Sequence, residues 1–331
     1  MQACLTIITS NTKSLKMKNV RFLFSGLLLL GMVTLISCDK DDDPVTPTAN
    51  IVETAMANAD LSILVQALSQ ANLVSALEGD GPFTVFAPTN AAFQELLDSN
   101  PAWNSLSDID DATLATVLKF HVIAADVRAA DLTDSYATTL ATGPNDEQIV
   151  LQIDVTGGVK FNGSASPTQT DIIASNGVIH IIDKVMLPPT VVNLALNNPS
   201  FSTLVAALTR NDLTTDYVSV LSGAGPFTVF APTNDAFQEL LDSNNDWNSL
   251  NDIPVSVLEA VLNYHVVNGA NVQSDQLTDN QQISTIGGML TVDLSAGAKL
   301  ETTSSQSVDI IFTDVQGSNG VVHVVNKVLL P

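Results

Sequence analysis

Apolar residues recur along the chain with two different periods. Residues 61–77 and 114–118 place them three and four positions apart, as in an amphipathic helix. From residue 149 onward, apolar and polar side chains alternate instead, as they do in half-buried strands. The same order, helical spacing followed by alternation, returns in residues 201–213 and 283–325. Because helices gather early and strands gather late in each half, the pattern predicts an α+β fold.

The two halves of the chain also share a nearly identical block of sequence. Residues 81–109 and 225–253 agree at 25 of 29 positions and begin 144 residues apart, a distance close to the length of a domain. The sequence therefore predicts two tandem domains, over residues 50–188 and 189–331. A pair of prolines falls at the predicted boundary, so we expect a short and stiff linker.

The repeated block has the pattern of a strand, a sharp turn and a helix. Its strand-forming residues stop at Pro88, which cannot continue a ladder of backbone hydrogen bonds. Asn90 is then positioned to cap a helix whose apolar face holds Phe93, Leu96 and Leu97. The turns are the candidate structural motifs Pro88-Thr89-Asn90 and Pro232-Thr233-Asn234. A shared binding site, a recent duplication or shared packing would each explain why both copies keep them.

Three ordered motifs in each half resemble those of the fasciclin domain. TVFAPTNAAF (84–93) and TVFAPTNDAF (228–237) are similar to its first signature. Its tyrosine–histidine segment is matched by Tyr264-His265 and, with Phe in place of Tyr, by Phe120-His121. GVIHIIDKVMLPP (177–189) and GVVHVVNKVLLP (320–331) resemble its closing signature. The resemblance covers nearly everything after residue 50, and it implies a β-wedge or sandwich in each domain, with helices packed on one side.

The first 37 residues have the composition of a targeting segment. Four basic residues precede a short apolar run from Phe22 to Ile36, which leads into Ser37-Cys38. A transmembrane helix needs about 20 apolar residues, so a cleaved secretory signal is favoured. Residues 35–38 resemble a bacterial lipobox, which would make Cys38 the lipidated N-terminus of the mature chain. Met17 is a candidate for the true start, and an ordinary signal peptide with an incidental cysteine is the alternative.

Residues 38–49 are acidic and then rich in Thr and Pro, which predicts an extended, solvated tether. An acidic run directly after a lipidated cysteine also resembles the surface-export signals of Bacteroidetes lipoproteins. The expected location is therefore the outer face of a bacterial outer membrane, with the lipid as the only membrane contact. A calcium loop is the alternative interpretation, but the Gly and the distal Glu of an EF-hand are missing.

The charge balance argues against nucleic acid as a partner. The chain has 12 basic and 35 acidic residues; the predicted targeting segment holds four of the basic ones and none of the acidic ones, which leaves a net charge of −27. A field of that sign repels nucleic acid and anionic membranes. It suits solubility at a crowded cell surface, or bridging to anionic polymers by divalent cations. Because Cys4 and Cys38 are the only cysteines, the mature chain would have no disulfide and no thiolate metal site.

Catalytic chemistry has few candidates in this sequence. The four histidines form two pairs across the repeat, His121 with His265 and His180 with His323. No nucleophile, metal-ligand spacing or phosphate-binding glycine loop accompanies them. His180 alternates with apolar residues on a predicted strand, so a hydrogen-bonded, partly buried structural role is favoured for the histidines. The sequence therefore predicts no catalytic residue, cofactor or metal ligand.

The tyrosine–histidine segment has a second interpretation. In animal fasciclin proteins this segment has been connected with integrin binding. The resemblance therefore makes Tyr264 and His265, with Phe120 and His121 in the first domain, candidate contacts for a partner. Phe120 lacks the hydroxyl group, and the apolar neighbours indicate that the segment is partly buried.

The resemblance and the tandem arrangement together predict a non-catalytic adhesion protein. Two linked weak sites gain an avidity that neither has alone. The expected partners are proteins or polysaccharides of a cell surface or matrix. The alternatives are a carrier of a small apolar ligand, an enzyme that acts on an extracellular polymer, and a purely structural role in the envelope.

Overall fold

The computed structural model describes residues 47–331, which lie within one compact unit. The predicted signal peptide over residues 1–37, the predicted lipid acceptor Cys38 and the predicted tether as far as residue 46 lie outside the described residues. Among residues 47–331, no helix is both long enough and apolar enough to cross a membrane.

In the first domain most of the helices precede most of the strands. The helices are α1 (Ile51–Met56), α2 (Ser62–Gln70), α3 (Val74–Leu77), α4 (Asn90–Asp98) and α5 (Asp111–Phe120). The strands are β1 (Phe83–Pro88), β2 (Val122–Ile123), β3 (Ser135–Thr142), β4 (Gln148–Asp154), β5 (Lys160–Phe161), β6 (Pro167–Ala174) and β7 (Gly177–Ile182).

The second domain repeats this order of elements. Its helices are α6 (Val191–Leu196), α7 (Ser202–Leu208), α8 (Tyr217–Leu221), α9 (Asn234–Asp242) and α10 (Val255–Tyr264). Its strands are β8 (Phe227–Pro232), β9 (Val266–Asn268), β10 (Gln282–Ser284), β11 (Met289–Asp293), β12 (Lys299–Glu301), β13 (Ser307–Gln316) and β14 (Gly320–Val325).

A parallel pair of strands lies at the centre of each domain. In the first domain β1 runs parallel to β7 within a sheet of order β2-β1-β7-β6, and β3, β4 and β5 form a separate antiparallel sheet. In the second domain β8 and β14 are the parallel pair, and the corresponding strands join into one sheet of order β10-β11-β12-β13-β14-β8-β9. The domains differ because β12 pairs with β13, whereas β5 and β6 belong to different sheets.

The central strand β1 is buried on both faces. Val85 and Ala87 pack among the helices, whereas Phe86 packs among residues of β3, β4 and β5 on the opposite side. A strand covered on both faces requires a nearly continuous apolar run, which is what the repeated block supplies. Strand β8 divides its side chains in the same way. The predicted α+β fold, a wedge of strands with helices on one side, is confirmed.

Thr89, and not Asn90, caps helix α4. Thr89 Oγ1 accepts a hydrogen bond from the backbone N–H of Ala92, and Asn90 is already the first residue of the helix. The prediction of an Asn90 cap is therefore wrong, and Thr233 caps α9 in the same manner. Thr and Asn both serve as caps, so composition alone did not decide between neighbouring positions. The strand end at Pro88 is confirmed.

One buried asparagine in each domain ties the helices to the last hairpin. Asn176 Nδ2 donates to the carbonyl oxygens of Leu77 and Gly79 at 2.8 and 2.7 Å. Its Oδ1 accepts the N–H of Ile51 at 2.9 Å, which satisfies a free donor at the start of α1. Asn319 makes the three corresponding bonds in the second domain.

Candidate binding surfaces

The tyrosine–histidine segments lie where a helix ends against the central sheet. Phe120 and Tyr264 are the last residues of α5 and α10, and the histidine that follows each of them terminates the helix. Strands β2 and β9 begin only one residue later. The helical spacing predicted for residues 114–118 thus continues to Phe120, and strand β2 begins only at Val122.

His121 and His265 are buried and held by two hydrogen bonds each. His121 Nδ1 lies 2.7 Å from the carbonyl oxygen of Val117, and its Nε2 accepts the N–H of Met186 at 2.9 Å. His265 has the same pair of bonds, to the Val261 carbonyl oxygen and the Leu329 N–H. Because a carbonyl oxygen can only accept, Nδ1 carries the proton and the ring is neutral. Each ring thereby fixes the C-terminal segment of its domain against the helix.

Burial lowers the pKa of both His121 and His265 to about 4 from the ordinary value of 6.5. The main cause is desolvation of the charged ring, and the hydrogen bond to the helix carbonyl opposes it only in part. A neutral imidazole whose two nitrogens are already occupied has no free atom with which to take a substrate proton. The geometry therefore fits a structural role.

Phe120 and Tyr264 are completely buried. The hydroxyl of Tyr264 donates to the carbonyl oxygen of Met289 at 2.6 Å and accepts the N–H of Thr303 at 3.2 Å. In the closed fold, Phe120, His121, Tyr264 and His265 thus contact the interior of their own domains. A partner contact through these four residues stays a prediction, and it would require the segment to open.

His180 and His323 have the opposite tautomer. His180 Nε2 donates to the carbonyl oxygen of Val127 at 2.9 Å, and its Nδ1 accepts the N–H of Asp171 at 3.3 Å. His323 repeats both bonds in the second domain, and burial lowers its pKa. Each ring holds a strand irregularity in place, since Asp171 has a positive φ of 57° at a shift in the pairing of β6 with β7. The hydrogen-bonded role is as predicted, and the burial is complete rather than partial.

The Pro-Thr-Asn turns bind other parts of their own domain. Asn90 Oδ1 accepts the N–H of Ile63 at 2.9 Å, and Asn90 Nδ2 donates to the carbonyl oxygen of Ala59 at 2.9 Å. Asn234 makes the corresponding bonds with Thr203 and Pro199. These turns therefore clamp the start of α2 and of α7. No group of three or more His, Cys, Asp or Glu side chains within residues 47–331 could hold a metal ion.

The two domains meet through the hairpin between β3 and β4. Asn145 Nδ2 at its tip donates to the carbonyl oxygen of Asn271 at 3.3 Å, and Asn271 Nδ2 donates back to the carbonyl oxygen of Pro144 at 3.4 Å. Gly143 lies so close to the second domain that a Cβ atom there would come within 2.6 Å of the carbonyl oxygen of Gly317. Backbone approach at this distance requires a residue without a side chain.

Beneath this hairpin the second domain has a buried amide network. Gln316 Oε1 accepts from Asn271 Nδ2 at 3.1 Å and from Gln273 Nε2 at 2.6 Å. Gln316 Nε2 donates to the carbonyl oxygens of Gly317 and Gly320. A buried network of this kind is stable because its donors and acceptors are satisfied.

The first domain has a different chemistry at the matching positions. An ion pair between Arg128 and Asp126, 2.5 Å apart, occupies the places of Gln273 and Asn271, and more than a third of each charged side chain is exposed. Ile173, which corresponds to Gln316, is 39% exposed. The second domain is thus built to be covered at this face, whereas the first is built to face solvent.

A second set of contacts joins β3 and β4 to the start of the second domain. Asn198 Nδ2 donates to the hydroxyl of Tyr136 at 3.0 Å, and Gln152 Nε2 donates to the carbonyl oxygen of Asn197 at 3.1 Å. The rings of Tyr136 and Phe312 lie 5.8 Å apart at an angle of 43°. Aromatic pairs at this distance attract one another beyond their simple burial.

An open cleft of about 800 Å³ lies beside these contacts, between the two domains. The residues that line it are Asp134, Ser135, Tyr136, Gln152, Ile153, Asp154, Thr156, Asn198, Pro199, Ser200 and Phe312. Pockets that bind small molecules commonly have volumes of about 300–1,000 Å³. We call this space the interdomain cleft.

The family model described as the fasciclin domain matches residues 59–188 and again residues 199–331. The chain belongs to the fasciclin domain family. Its tandem arrangement of two fasciclin domains is confirmed. Among solved structures, a fasciclin domain pair from the insect cell adhesion molecule fasciclin I is similar, with a TM-score of 0.46 and 17% identity over 85% of this chain and 96% of that chain.

Bacterial and animal proteins are among the relatives of this fasciclin tandem. Protein sll1483 of Synechocystis is 41% identical over 139 residues, which cover 42% of this chain and 73% of that protein. Transforming growth factor-beta-induced protein ig-h3 of Sus scrofa is 27% identical over 299 residues, 88% of this chain and 41% of that protein. Human periostin is 28% identical over 257 residues, 77% of this chain and 29% of that protein. The fasciclin tandem therefore spans less than half the length of these animal relatives.

Sequence reasoning missed the cleft between the fasciclin domains. The signal lay in the differences between the repeats, not in their identity. Phe312 and Gln169 take equivalent places in the strand pairing of the two domains, so an aromatic residue in the second domain corresponds to a polar one in the first. At a second pair of equivalent positions, the second domain has the polar Gln316 and the first has the apolar Ile173. An exposed aromatic residue and a buried amide at positions where the repeats disagree indicate a surface that only the tandem forms.

Proposed function

We propose that this tandem of fasciclin domains is a non-catalytic adhesion protein that binds a protein or a polysaccharide of a cell surface or matrix. Fasciclin domains occur in cell adhesion proteins, and the presence of two in one chain is the observation that carries the proposal. Two linked modules raise the effective concentration of the second binding event, so weak sites suffice for attachment.

The chemistry of the repeated motifs supports binding rather than catalysis. Both ring nitrogens of His121, His180, His265 and His323 are engaged with backbone groups of their own domain. A general base needs a free lone pair within reach of the substrate, and these rings offer none. The motifs therefore serve to hold two rigid scaffolds, whose surfaces do the binding.

The proposal includes a lipid anchor at Cys38 and a place on the outer face of the outer membrane. It rests on the lipobox-like residues 35–38 and on the acidic run that follows. Radiolabelled palmitate in cells that express the full chain tests it. We expect label in the wild type and none in Cys38→Ser, and loss of the protein when intact cells are treated with protease.

One apolar cavity in the second domain is too small to hold the ligand of a carrier. This cavity lies between the helices and β8, beside Phe230 and His265, and holds about 30 Å³. That space is close to the share of one water molecule and far below the volume of a typical ligand pocket.

The test of adhesion uses the soluble fragment Asp39–Pro331, since residues 47–331 lie within one compact unit. Its binding to intact cells, to immobilised matrix proteins and to glycans is measured with and without calcium. We expect saturable binding to at least one of these surfaces. A well-folded fragment that binds none of them would overturn the adhesive role.

A further inference from the structure

We infer that the interdomain cleft is a binding site for a neutral oligosaccharide. The inference rests on the proposed adhesive function, and it names the chemical class of one partner and the place where that partner binds. The cleft exists only in the tandem, because Asp134, Tyr136, Gln152 and Asp154 come from the first domain and Asn198, Ser200 and Phe312 come from the second.

The first observation is a polar atom that lacks a partner within the fold. Gln152 is 7% exposed and lines the cleft, and its Nε2 is occupied by the carbonyl oxygen of Asn197. Its Oε1 is one of two buried side-chain polar atoms without a hydrogen-bond partner among residues 47–331. Buried acceptors without a partner are rare in folded proteins, and this one belongs to a side chain that lines the cleft.

The second observation is the arrangement of the side chains around this atom. Tyr136 and Gln152 are directly paired across β3 and β4, and Asp154 is two residues further along β4, so all three share one face of the sheet. Phe312 closes the same space from the second domain, and 49% of its surface is exposed. An exposed aromatic ring beside a row of polar side chains matches a sugar, which has an apolar face of C–H groups and a rim of hydroxyl groups.

Neutral groups outnumber charged groups around the cleft. Hydroxyl and amide side chains come from Ser135, Tyr136, Gln152, Thr156, Asn198 and Ser200. Hydroxyl groups both donate and accept, so a polyol can pair with such a mixed lining without a net charge. A sugar therefore satisfies this lining better than an anion, which would meet two carboxylates.

The two carboxylates are already engaged in the fold. Asp134 accepts the N–H of Val155 at 2.7 Å and the hydroxyl of Thr156 at 3.3 Å. Asp154 accepts the N–H of Thr156 at 2.7 Å. Their remaining lone pairs can accept further hydrogen bonds from sugar hydroxyls. A cationic peptide is the competing ligand, because it would be attracted by the same two charges.

The repeat offers a matched pair of variants. Phe312 lines the cleft and its neighbour Ile311 does not, and both are exposed, at 49% and 55%. The first domain has Gln169 and Thr168 at these two positions. Phe312→Gln therefore changes the cleft and Ile311→Thr changes the surface beside it, each to a residue that the fold already accepts.

The experiment is calorimetric titration of the fragment Asp39–Pro331 with neutral oligosaccharides of glucose, mannose, galactose and N-acetylglucosamine, and with a lysine-rich peptide. We expect at least one neutral oligosaccharide to bind. Phe312→Gln should weaken this binding by about tenfold or more, and Ile311→Thr by less than about twofold. Ser200→Trp is a second test, since Ser200 is exposed, lines the cleft and has no hydrogen bond from its hydroxyl within the described residues. The added indole should obstruct the cleft and abolish binding even if Phe312→Gln loosens the interface.

Each outcome decides the inference. Loss of oligosaccharide binding in Phe312→Gln and Ser200→Trp, with retention in Ile311→Thr, supports it. Binding of the lysine-rich peptide alone, equal binding by all variants, or no binding of any probe overturns it. Attachment to cells and matrix proteins is measured on the same variants. Attachment that persists without oligosaccharide binding leaves the adhesive function intact and removes only the cleft as its site.

Discussion

Asn319 in the second domain makes the same three side-chain hydrogen bonds as Asn176 in the first. Both side chains are more than nine-tenths buried, and each joins the first helix of its domain to the loop that precedes the central strand. The two domains therefore share this hydrogen-bonded link between the first helix and the loop before the central strand, in addition to the strand–turn–helix block.

Replacement of this asparagine should destabilise the fold. Asn176→Ala leaves the N–H of Ile51 and two carbonyl oxygens without partners, and we expect a loss of about 2–4 kcal/mol in the free energy of unfolding. Urea unfolding followed by circular dichroism measures it. Asn104→Ala is the control, because Asn104 is exposed, and it should change stability by less than about 0.5 kcal/mol. Equal effects of the two substitutions would contradict the role of Asn176.

Stability should fall as the pH is lowered from 6.5 toward 4. In the unfolded chain histidine titrates near 6.5, whereas burial lowers the pKa of His121 and His265 to about 4 in the fold. Within this window the unfolded state binds more protons, so each of these two histidines costs about 1.4 kcal/mol per pH unit. Above 6.5 they contribute no pH dependence. Carboxylates with a lowered pKa, such as Asp110, act only at lower pH.

Urea unfolding at a series of pH values measures this slope. His121→Gln should reduce it, because the substitution removes one of the histidines whose pKa is lowered by burial. Nuclear magnetic resonance of the ring protons is the independent check if the variant does not fold. A His121 or His265 signal that titrates near 6.5 in the folded protein would be incompatible with the neutral, doubly bonded ring.

The polarity of the interdomain face can be tested by a reciprocal exchange. Gln316→Ile gives the second domain the residue of the first, and it leaves the side-chain donors of Asn271 and Gln273 without their common acceptor. We expect a loss of about 2–4 kcal/mol. Ile173→Gln makes the opposite change at an exposed position and should be nearly neutral, within about 0.5 kcal/mol. Thermal unfolding of both variants checks this, and similar losses in the two would mean that the face of the second domain is not specially covered.

The assignment of Thr89, and not Asn90, as the cap of α4 can be tested by substitutions at both positions. Thr89→Ser keeps the capping hydroxyl and should be nearly neutral, whereas Thr89→Ala should cost about 1 kcal/mol. Asn90→Ser should also be destabilising, because serine is too short to replace the bonds to both Ile63 and Ala59. If Asn90 were the cap, serine would be a good substitute there. A neutral Asn90→Ser would therefore restore the original assignment.

Tyr264→Phe separates a structural role from a partner contact. The substitution gives the second domain the residue that the first has at Phe120, and it removes the hydroxyl that bonds to Met289 and Thr303. We expect a loss of stability of about 1–3 kcal/mol and unchanged attachment by the folded fraction. Attachment that disappears in a fully folded variant would instead establish the hydroxyl as part of a contact surface.

Much of the fold could be predicted because the same local pattern of apolar and polar residues occurs in both halves of the chain. The apolar faces of α4 and α9, the strand ends at Pro88 and Pro232 and the order of helices and strands follow from local spacing. The ends of α5 and α10 could not be placed, since Phe and Tyr fit a helix end and a strand equally well.

The interdomain cleft could not be predicted for a different physical reason. It depends on which faces of two similar domains meet, and local periodicity contains no information on that choice. Gln152 lies between apolar residues of β4, and nothing in the local sequence shows that its amide nitrogen bonds to Asn197 while its oxygen has no partner. The one sequence signal for this surface is that the two repeats differ at Phe312 and Gln316.

The hairpin of the first domain explains why these domains need not polymerise. A head-to-tail contact grows into an open filament when every copy has both halves of it. Here the first domain has the long hairpin, with eight residues in β3, but presents the exposed Arg128–Asp126 pair where the contact would be received. The second domain has the receiving amides but only three residues in β10. The contact is therefore self-limiting: it joins one pair of domains and offers no matching end to a further copy.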